Sequence, residues 1–265
     1  VSMPMGVMNS AHFTTEIISW CVDHYKNRVM VYEKSPVRML ELSDTEQGMA
    51  RAVGDTFTVN AHEVVLCTNG FEHFSIHHNG FNINTKFHDE VHGVVGYMAG
   101  YEYPHVYEPS ANSYINDIPE NNDHPLDKNP YDYITRRPFE IGGEIKGLLV
   151  AGGPESQLIS HRNLYDRKKE INETNLTSLD DFVNKTAKES ALLKRIYAWH
   201  GLMGYTKSGV RLVGKEPCAP GLWYNLGCNG IGILSSVYGG ERVARLMNGE
   251  VLPKTMFDPV DARCL

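Results

Sequence analysis

Gly227-Cys228-Asn229-Gly230-Ile231-Gly232-Ile233-Leu234 follows the apolar run Leu222-Trp223-Tyr224-Asn225-Leu226 and leads straight into Ser235-Ser236-Val237-Tyr238-Gly239-Gly240-Glu241-Arg242-Val243-Ala244. The order reads as a strand, a glycine-rich turn and a helix. Glycine opens φ > 0 and lets a second group come close to the backbone. A helix that starts at such a turn offers unpaired N–H groups and the positive end of its dipole. Together they make a seat for a negatively polarised oxygen. The same turn also serves as a packing device in many folds, so its meaning depends on the rest of the chain.

Upstream, Ala11–Lys26 has helical spacing, with Phe13, Ile17, Ile18, Trp20, Cys21 and Tyr25 able to share a face and Asn9 or Ser10 as its cap. Val29–Tyr32 is expected to be a short strand. Val37–Leu42, Met49–Val53 and Thr56–Asn60 read as an antiparallel meander punctuated by Asp44, Gly48 and Gly54-Asp55. Glu63–Thr68 is a largely apolar run that stops at Asn69-Gly70, as a buried parallel strand does at its turn. His92–Ala99 reads as a strand of a different sheet. Tyr101–Pro130, rich in Pro, Asn, Asp and Tyr, is expected to be a long loop. Tyr131–Arg136 and Gly147–Ala151 read as strands joined through Pro138–Gly143. A helix over Leu179–Arg195 and a strand over Tyr197–Tyr205 follow. The expected fold class is therefore α/β (α+β): a layered α/β domain interrupted by an inserted antiparallel sheet. The expected division is 1–85, 86–215, 216–250 and a tail, 251–265.

Composition narrows the partners. The chain has 265 residues, 42% hydrophobic and 22% charged, with a net charge of −7. Those values are ordinary for a globular protein. The acidic balance argues against nucleic acid, since no basic stripe is present to neutralise phosphates. Arg167-Lys168-Lys169 reads as a solvated helix face. No apolar run has membrane-spanning length and no leader peptide is visible, so neither a membrane nor secretion is expected. The five scattered cysteines, with no CxxC, point to reduced thiols and a cytoplasmic protein. His73, His77 and His78 could bring two imidazoles to one helical face, but no acidic or cysteine partner stands at metal-site spacing, so no metal is expected.

Five pieces, in order, carry a family resemblance. They are Gly6-Val7-Met8-Asn9 leading into the first helix; Val29-Met30-Val31-Tyr32-Glu33-Lys34-Ser35-Pro36-Val37; Val64-Val65-Leu66-Cys67-Thr68-Asn69-Gly70-Phe71; Tyr131–Gly153; and Trp199-His200-Gly201-Leu202-Met203-Gly204-Tyr205-Thr206 with Val213-Gly214 and the turn at 227–232. The ordered set resembles the C-terminal two-thirds of FAD-dependent oxidoreductases of the D-amino-acid oxidase/glycine oxidase superfamily. That family opens with a strand and GxGxxG, the cradle for pyrophosphate. No such motif stands in this sequence, and Gly93, Gly96 and Gly100 have the wrong spacing. With Val1 in place of an initiating Met, the chain is expected to be a fragment or one piece of a longer protein, inactive and poor at holding FAD by itself.

The resemblance implies oxidation of an amine or amino-acid C–N bond by hydride transfer to the flavin. The alternative is a non-catalytic binding or assembly domain, since the fingerprint is absent. The resemblance places Gly230, Ile231, Gly232, Ile233 and Leu234 against the flavin's pyrimidine edge, and Val37, Thr68, Asn69 and Gly70 near the adenosine and pyrophosphate. Where glycine-oxidase-like members carry an arginine for the substrate carboxylate, this chain has Met203. Arg136 or Arg137 is a possible substitute, and His200 and Tyr205 alternate with Met203 along a strand. Gly201 stands where some relatives carry a flavin-linking cysteine, which implies non-covalent FAD. The implied partners are a small amine or amino acid and a missing N-terminal segment or companion chain.

Overall fold

The computed structural model describes residues 8–43, 50–69, 74–82, 91–115, 131–158, 165–219 and 221–259. The chain is mixed α/β and divides into two compact units: 1–16 with 94–202, and 17–93 with 203–265.

The unit of 94–202 is built on one antiparallel sheet. Its strands are β7 (Val91–Tyr103), β8 (Ser110–Ile115), β9 (Tyr131–Ile141), β10 (Glu144–Gln157) and β11 (Lys194–Thr206), in the order β11-β7-β10-β9-β8. Register places Ala151 opposite both Ala99 and Ile134, so one face carries a row of small and branched apolar side chains across three strands. Helix α2 (Glu173–Thr186) covers that row with Leu179 and Val183, one turn apart on the helix. Asn172 starts α2 because its side chain accepts the Thr174 N–H at 2.8 Å. That cap sets the start well before the Leu179 expected from hydrophobic spacing. The helix also stops earlier than Arg195: Glu189 turns left-handed (φ 57°), a single 3₁₀ turn covers Ser190–Leu192, and β11 begins at Lys194.

The unit of 17–93 and 203–265 holds two sheets. One comprises β1 (Val37–Leu42), β2 (Ala50–Gly54), β3 (Thr58–Ala61), β5 (Ser75–His78) and β6 (Phe81–Asn82), in the order β3-β2-β1-β5-β6. The other is β12 (Leu212–Lys215), β13 (Leu222–Leu226) and β4 (Val64–Leu66), in the order β12-β13-β4. Leu40, Leu42, Leu66, Ile76, Leu222, Tyr224 and Leu226 pack into one core. Trp223 points the other way, as the strand period requires, and packs with Val213 and with Val243 of α3 (Gly232–Met247). Both aromatic heads on β13 find carboxylates: the Tyr224 hydroxyl donates to Glu216 at 2.7 Å and the Trp223 indole to Glu63 at 3.0 Å.

Several expectations need correction. Val29–Tyr32 joins no sheet among the described residues; β-prone residues without a partner strand do not hold a ladder. The Tyr101–Pro130 loop begins inside β7 and contains the edge strand β8, whose polar Ser-Ala-Asn-Ser sequence pairs with β9 on one side only; 116–130 lies outside the described residues. His77 and His78 are consecutive on β5 and face opposite ways, so no helical imidazole pair forms; His73 is not among the described residues. Arg167–Lys169 is a turn. The expectation of reduced thiols fails at Cys218, which is disulfide-bonded, while Cys21, Cys67 and Cys228 are free. Helix α1 (Ser10–His24) buries none of its residues. No described helix is long and apolar enough to cross a membrane.

Candidate functional site

β13 and β4 run parallel, with Leu222 opposite Val64, Trp223 opposite Val65 and Tyr224 opposite Leu66. Their carboxyl ends therefore open on the same edge, where α/β sheets gather their ligands. Cys67-Thr68-Asn69 leaves β4 there, and Gly227–Ile231 leaves β13. The end of β11 is the third strand of the knot. Asn69 (φ 62°) accepts the Cys228 N–H at 2.9 Å on its side-chain oxygen and donates its amide to Cys228 Sγ at 3.6 Å. Asn229 (φ 47°) donates its N–H to Gly204 O at 2.9 Å and accepts from the Thr206 N–H at 2.8 Å. Gly204 must be glycine, because a Cβ there would run into the Asn69 carbonyl oxygen. Gly230 takes φ +75°, and a Cβ on it would sit 2.7 Å from the Tyr205 hydroxyl.

The turn hands over to α3 without a side-chain cap: Ile231, the preceding residue, makes no capping hydrogen bond. The first N–H groups of the helix are thus left for an external acceptor. Beside that first turn lies Arg211, only 6% exposed. Its Nη2 donates to Asn225 Oδ1 at 2.8 Å and Ser236 Oγ at 3.1 Å, and its Nη1 to Ser235 Oγ at 3.2 Å. Its Nε has no hydrogen-bond partner. Among the described residues no carboxylate pairs with it. Burial pulls the guanidinium pKa down, and the neighbouring Cys228 and Cys67 thiols partly offset that. Desolvation in turn pushes the Cys67 thiol up, with Arg211 opposing.

The structure gathers Thr68, Asn69, Met203, Tyr205, Gly230, Ile231 and Gly232 in the unit that contains this edge. Ile233 and Leu234 fill the first turn of α3, with Ile231 and Leu234 72% and 84% exposed. Gly70 lies outside the described residues. Val37 opens β1, in the other sheet of the same unit.

Arg136 and His200 belong to the unit of 94–202. Arg136 donates to Asn112 at 3.0 Å and lies 6.0 Å from the Tyr107 ring centre. Its neighbour Arg137, on the opposite face of β9, has a buried Nε without a partner. Both His200 nitrogens are engaged, Nε2 with Lys169 O at 2.7 Å and Nδ1 with the Tyr165 hydroxyl at 2.9 Å. A carbonyl only accepts, so Nε2 carries a proton; the Tyr165 hydroxyl also donates to the His200 carbonyl at 2.9 Å. Sequence reasoning missed Arg211. Its only signal was a lone arginine inside the apolar run Val210-Arg211-Leu212-Val213.

A glycine turn at the carboxyl ends of parallel strands, feeding an uncapped helix, stands at the edge where α/β sheets gather their ligands. The chain belongs to the family described as FAD dependent oxidoreductase, whose model matches residues 3–246. Among solved structures it is similar to glycine oxidase from Geobacillus kaustophilus, at 16% identity and TM-score 0.60, over 88% of this chain and 54% of that one. Glycine oxidase from Bacillus cereus gives 16% identity and TM-score 0.54, over 82% and 51%. Fructosyl amine:oxygen oxidoreductase (Amadoriase I) from Aspergillus fumigatus gives 15% identity and TM-score 0.54, over 84% and 48%. The chain thus spans about half the length of these structures. No curated protein matches the sequence significantly.

The residues present fit one part of FAD. An uncapped helix start and a buried cation with an orphaned Nε favour an electron-rich acceptor edge, while Gly230 and Gly232 face inward, where a Cβ would meet the Tyr205 hydroxyl and Cys228 Cβ. They do not include a pyrophosphate cradle of the GxGxxG kind.

Proposed function

We propose that this chain carries the flavin-facing half of an FAD-dependent oxidoreductase that oxidises an amine or amino-acid C–N bond. The observation that carries the reading is the convergence of 67–69, 204–206 and 227–232 at the carboxyl ends of β4 and β13, beside the uncapped start of α3. When bound, FAD would supply the hydride acceptor for the C–N bond oxidation. The chain's own part is electrostatic and steric. Gly230–Leu234 would meet the pyrimidine edge with backbone N–H groups, and Thr68 and Asn69 would flank the adenosine side.

The flavin is held non-covalently on this reading. Gly201 offers no nucleophile where some relatives have one, and a Cβ there would meet nothing within 4 Å. The pyrophosphate cradle comes from a further segment or a companion chain, since no GxGxxG stands in these residues. Arg136, His200, Met203 and Tyr205 remain the proposed substrate contacts. The hydrogen bonds to both nitrogens of His200 favour a role in holding β11 over direct substrate contact. The test is to purify the full-length gene product and titrate it anaerobically with small amines and amino acids. Stoichiometric flavin that bleaches with one of these substrates is expected. A colourless protein that takes up no added FAD overturns the proposal.

A further inference from the structure

Asn172-Glu173-Thr174, Asn175-Leu176-Thr177 and Asn184-Lys185-Thr186 are the only Asn-x-Ser/Thr triplets in the chain, and all three fall on α2 and its cap. Such a triplet accepts N-linked oligosaccharide when the chain passes through a glycosylating compartment. Cys218 is an independent sign of one, because disulfides form and persist in oxidising compartments and are rare in the reducing cytosol. Cys21, Cys67 and Cys228 stay free, so the disulfide alone does not decide the matter. The geometry of the triplets adds to it.

The fold treats the three asparagines differently. Asn175 is half-buried in the first turn of α2 and Asn184 stands in the last, both held in helical backbone. Asn172 lies outside the helix, exposed, with extended backbone at φ −61° and ψ 131°. Its amide atoms have separate duties. Oδ1 accepts the Thr174 N–H at 2.8 Å, which folds the third residue of the triplet back toward the first. Nδ2 donates to nothing among the described residues. A sugar on Nδ2 therefore leaves the cap intact, and the exposed Glu173, Thr174 and Thr177 leave room for it.

We infer that Asn172 is an N-glycosylation site and that the protein matures in the oxidising lumen of a secretory route. In the transfer, an Nδ2–H bond breaks and an N–C bond forms to C1 of a lipid-diphosphate-linked oligosaccharide. The lipid diphosphate leaves, the proton passes to a base of the transferring enzyme, and nothing is oxidised or reduced. The inference stands apart from the flavin reading and runs against the cytoplasmic expectation drawn from the cysteines.

The test is to express the full-length gene product in eukaryotic cells, with no added leader, and to treat it with peptide N-glycosidase F. A mobility shift is expected, with Asn172 read as Asp in the tryptic peptide 170–185. Asn172→Asp keeps an oxygen for the cap, and Thr174→Ala keeps the N–H that it accepts. Each variant should fold as wild type and lose the Asn172 signal. Wild-type Asn172 recovered entirely as unmodified asparagine overturns the inference, and so does a shift that survives both variants undiminished. Flavin content plays no part in this readout, so the flavoprotein reading stands or falls separately.

Discussion

One buried arginine sits on the C-terminal half of α3 and another packs beside its first turn, and the chain treats them in opposite ways. Arg242, in the C-terminal half, is 6% exposed and is gripped by Asp258, with Nη2 at 2.6 Å and Nε at 3.1 Å from the same carboxylate oxygen. Nη2 also donates to Pro253 O at 2.9 Å, and Asp258 accepts the Thr255 N–H at 2.8 Å, so the cation ties the segment after α3 back to the helix. Arg211, at the other end, is equally buried and meets only neutral oxygens. A buried charge with its counter-ion holds a structure together. One without a counter-ion keeps a charge that the described residues do not neutralise.

The largest effect should come from the finished pair. Arg242→Met removes the cation and leaves Asp258 half-buried without its partner, at a cost of about 3 kcal/mol, read from urea denaturation. An unchanged midpoint would break the contrast, because Arg242 would then be as dispensable to the fold as Arg211 is expected to be. The turn should come next. Gly230→Ala forces a side chain into φ +75° and toward the Tyr205 hydroxyl, for about 1–2 kcal/mol. It should also loosen FAD in the full-length protein, measured by flavin retained on gel filtration; wild-type retention would detach the turn from the flavin reading.

Arg211→Met should matter less to folding than either. It loses hydrogen bonds to Asn225 and the serines but relieves a buried, unpaired charge, and the two nearly cancel, leaving a change within about 1 kcal/mol of either sign. A loss as large as that of Arg242→Met would make Arg211 a structural residue and erase the difference between the two ends.

The same contrast explains what could be read from sequence. Leu222–Leu226, the glycine turn and α3 were legible because an apolar run, glycine spacing and a helical repeat coincide there, and the strand bounds match. β1 and the long strands of the antiparallel sheet were legible for similar reasons. α2 was misplaced because its start is fixed by one side-chain oxygen, that of Asn172, while its buried face carries only Leu179 and Val183. β8 was missed because an edge strand needs no hydrophobic alternation. Arg211 was invisible for a deeper reason: a sequence shows that an arginine is present, but its burial and its lack of a counter-ion are properties of packing between β12, β13 and α3.

The smallest expected effect tests whether the Arg211 charge is felt at all by its surroundings. Cys67, just past β4, has its thiol pushed up by desolvation and held back in part by Arg211. A raised pKa in the folded state keeps the proton on at pH values where the unfolded chain has begun to lose it. The thiol's contribution to stability is therefore fully present below the unfolded value, and it is lost as pH rises through the folded one. Reactivity moves in the opposite sense, because only the thiolate attacks. Removing the cation with Arg211→Met should push the thiol higher still, slowing iodoacetamide labelling of the Cys67 peptide about two- to threefold at mildly alkaline pH. Arg242→Met should leave that rate where it was, because its charge is already spent on Asp258. Equal rates in wild type and Arg211→Met would mean that the buried cation is screened from the Cys67 thiol, and the contrast with Arg242 would be lost at this site.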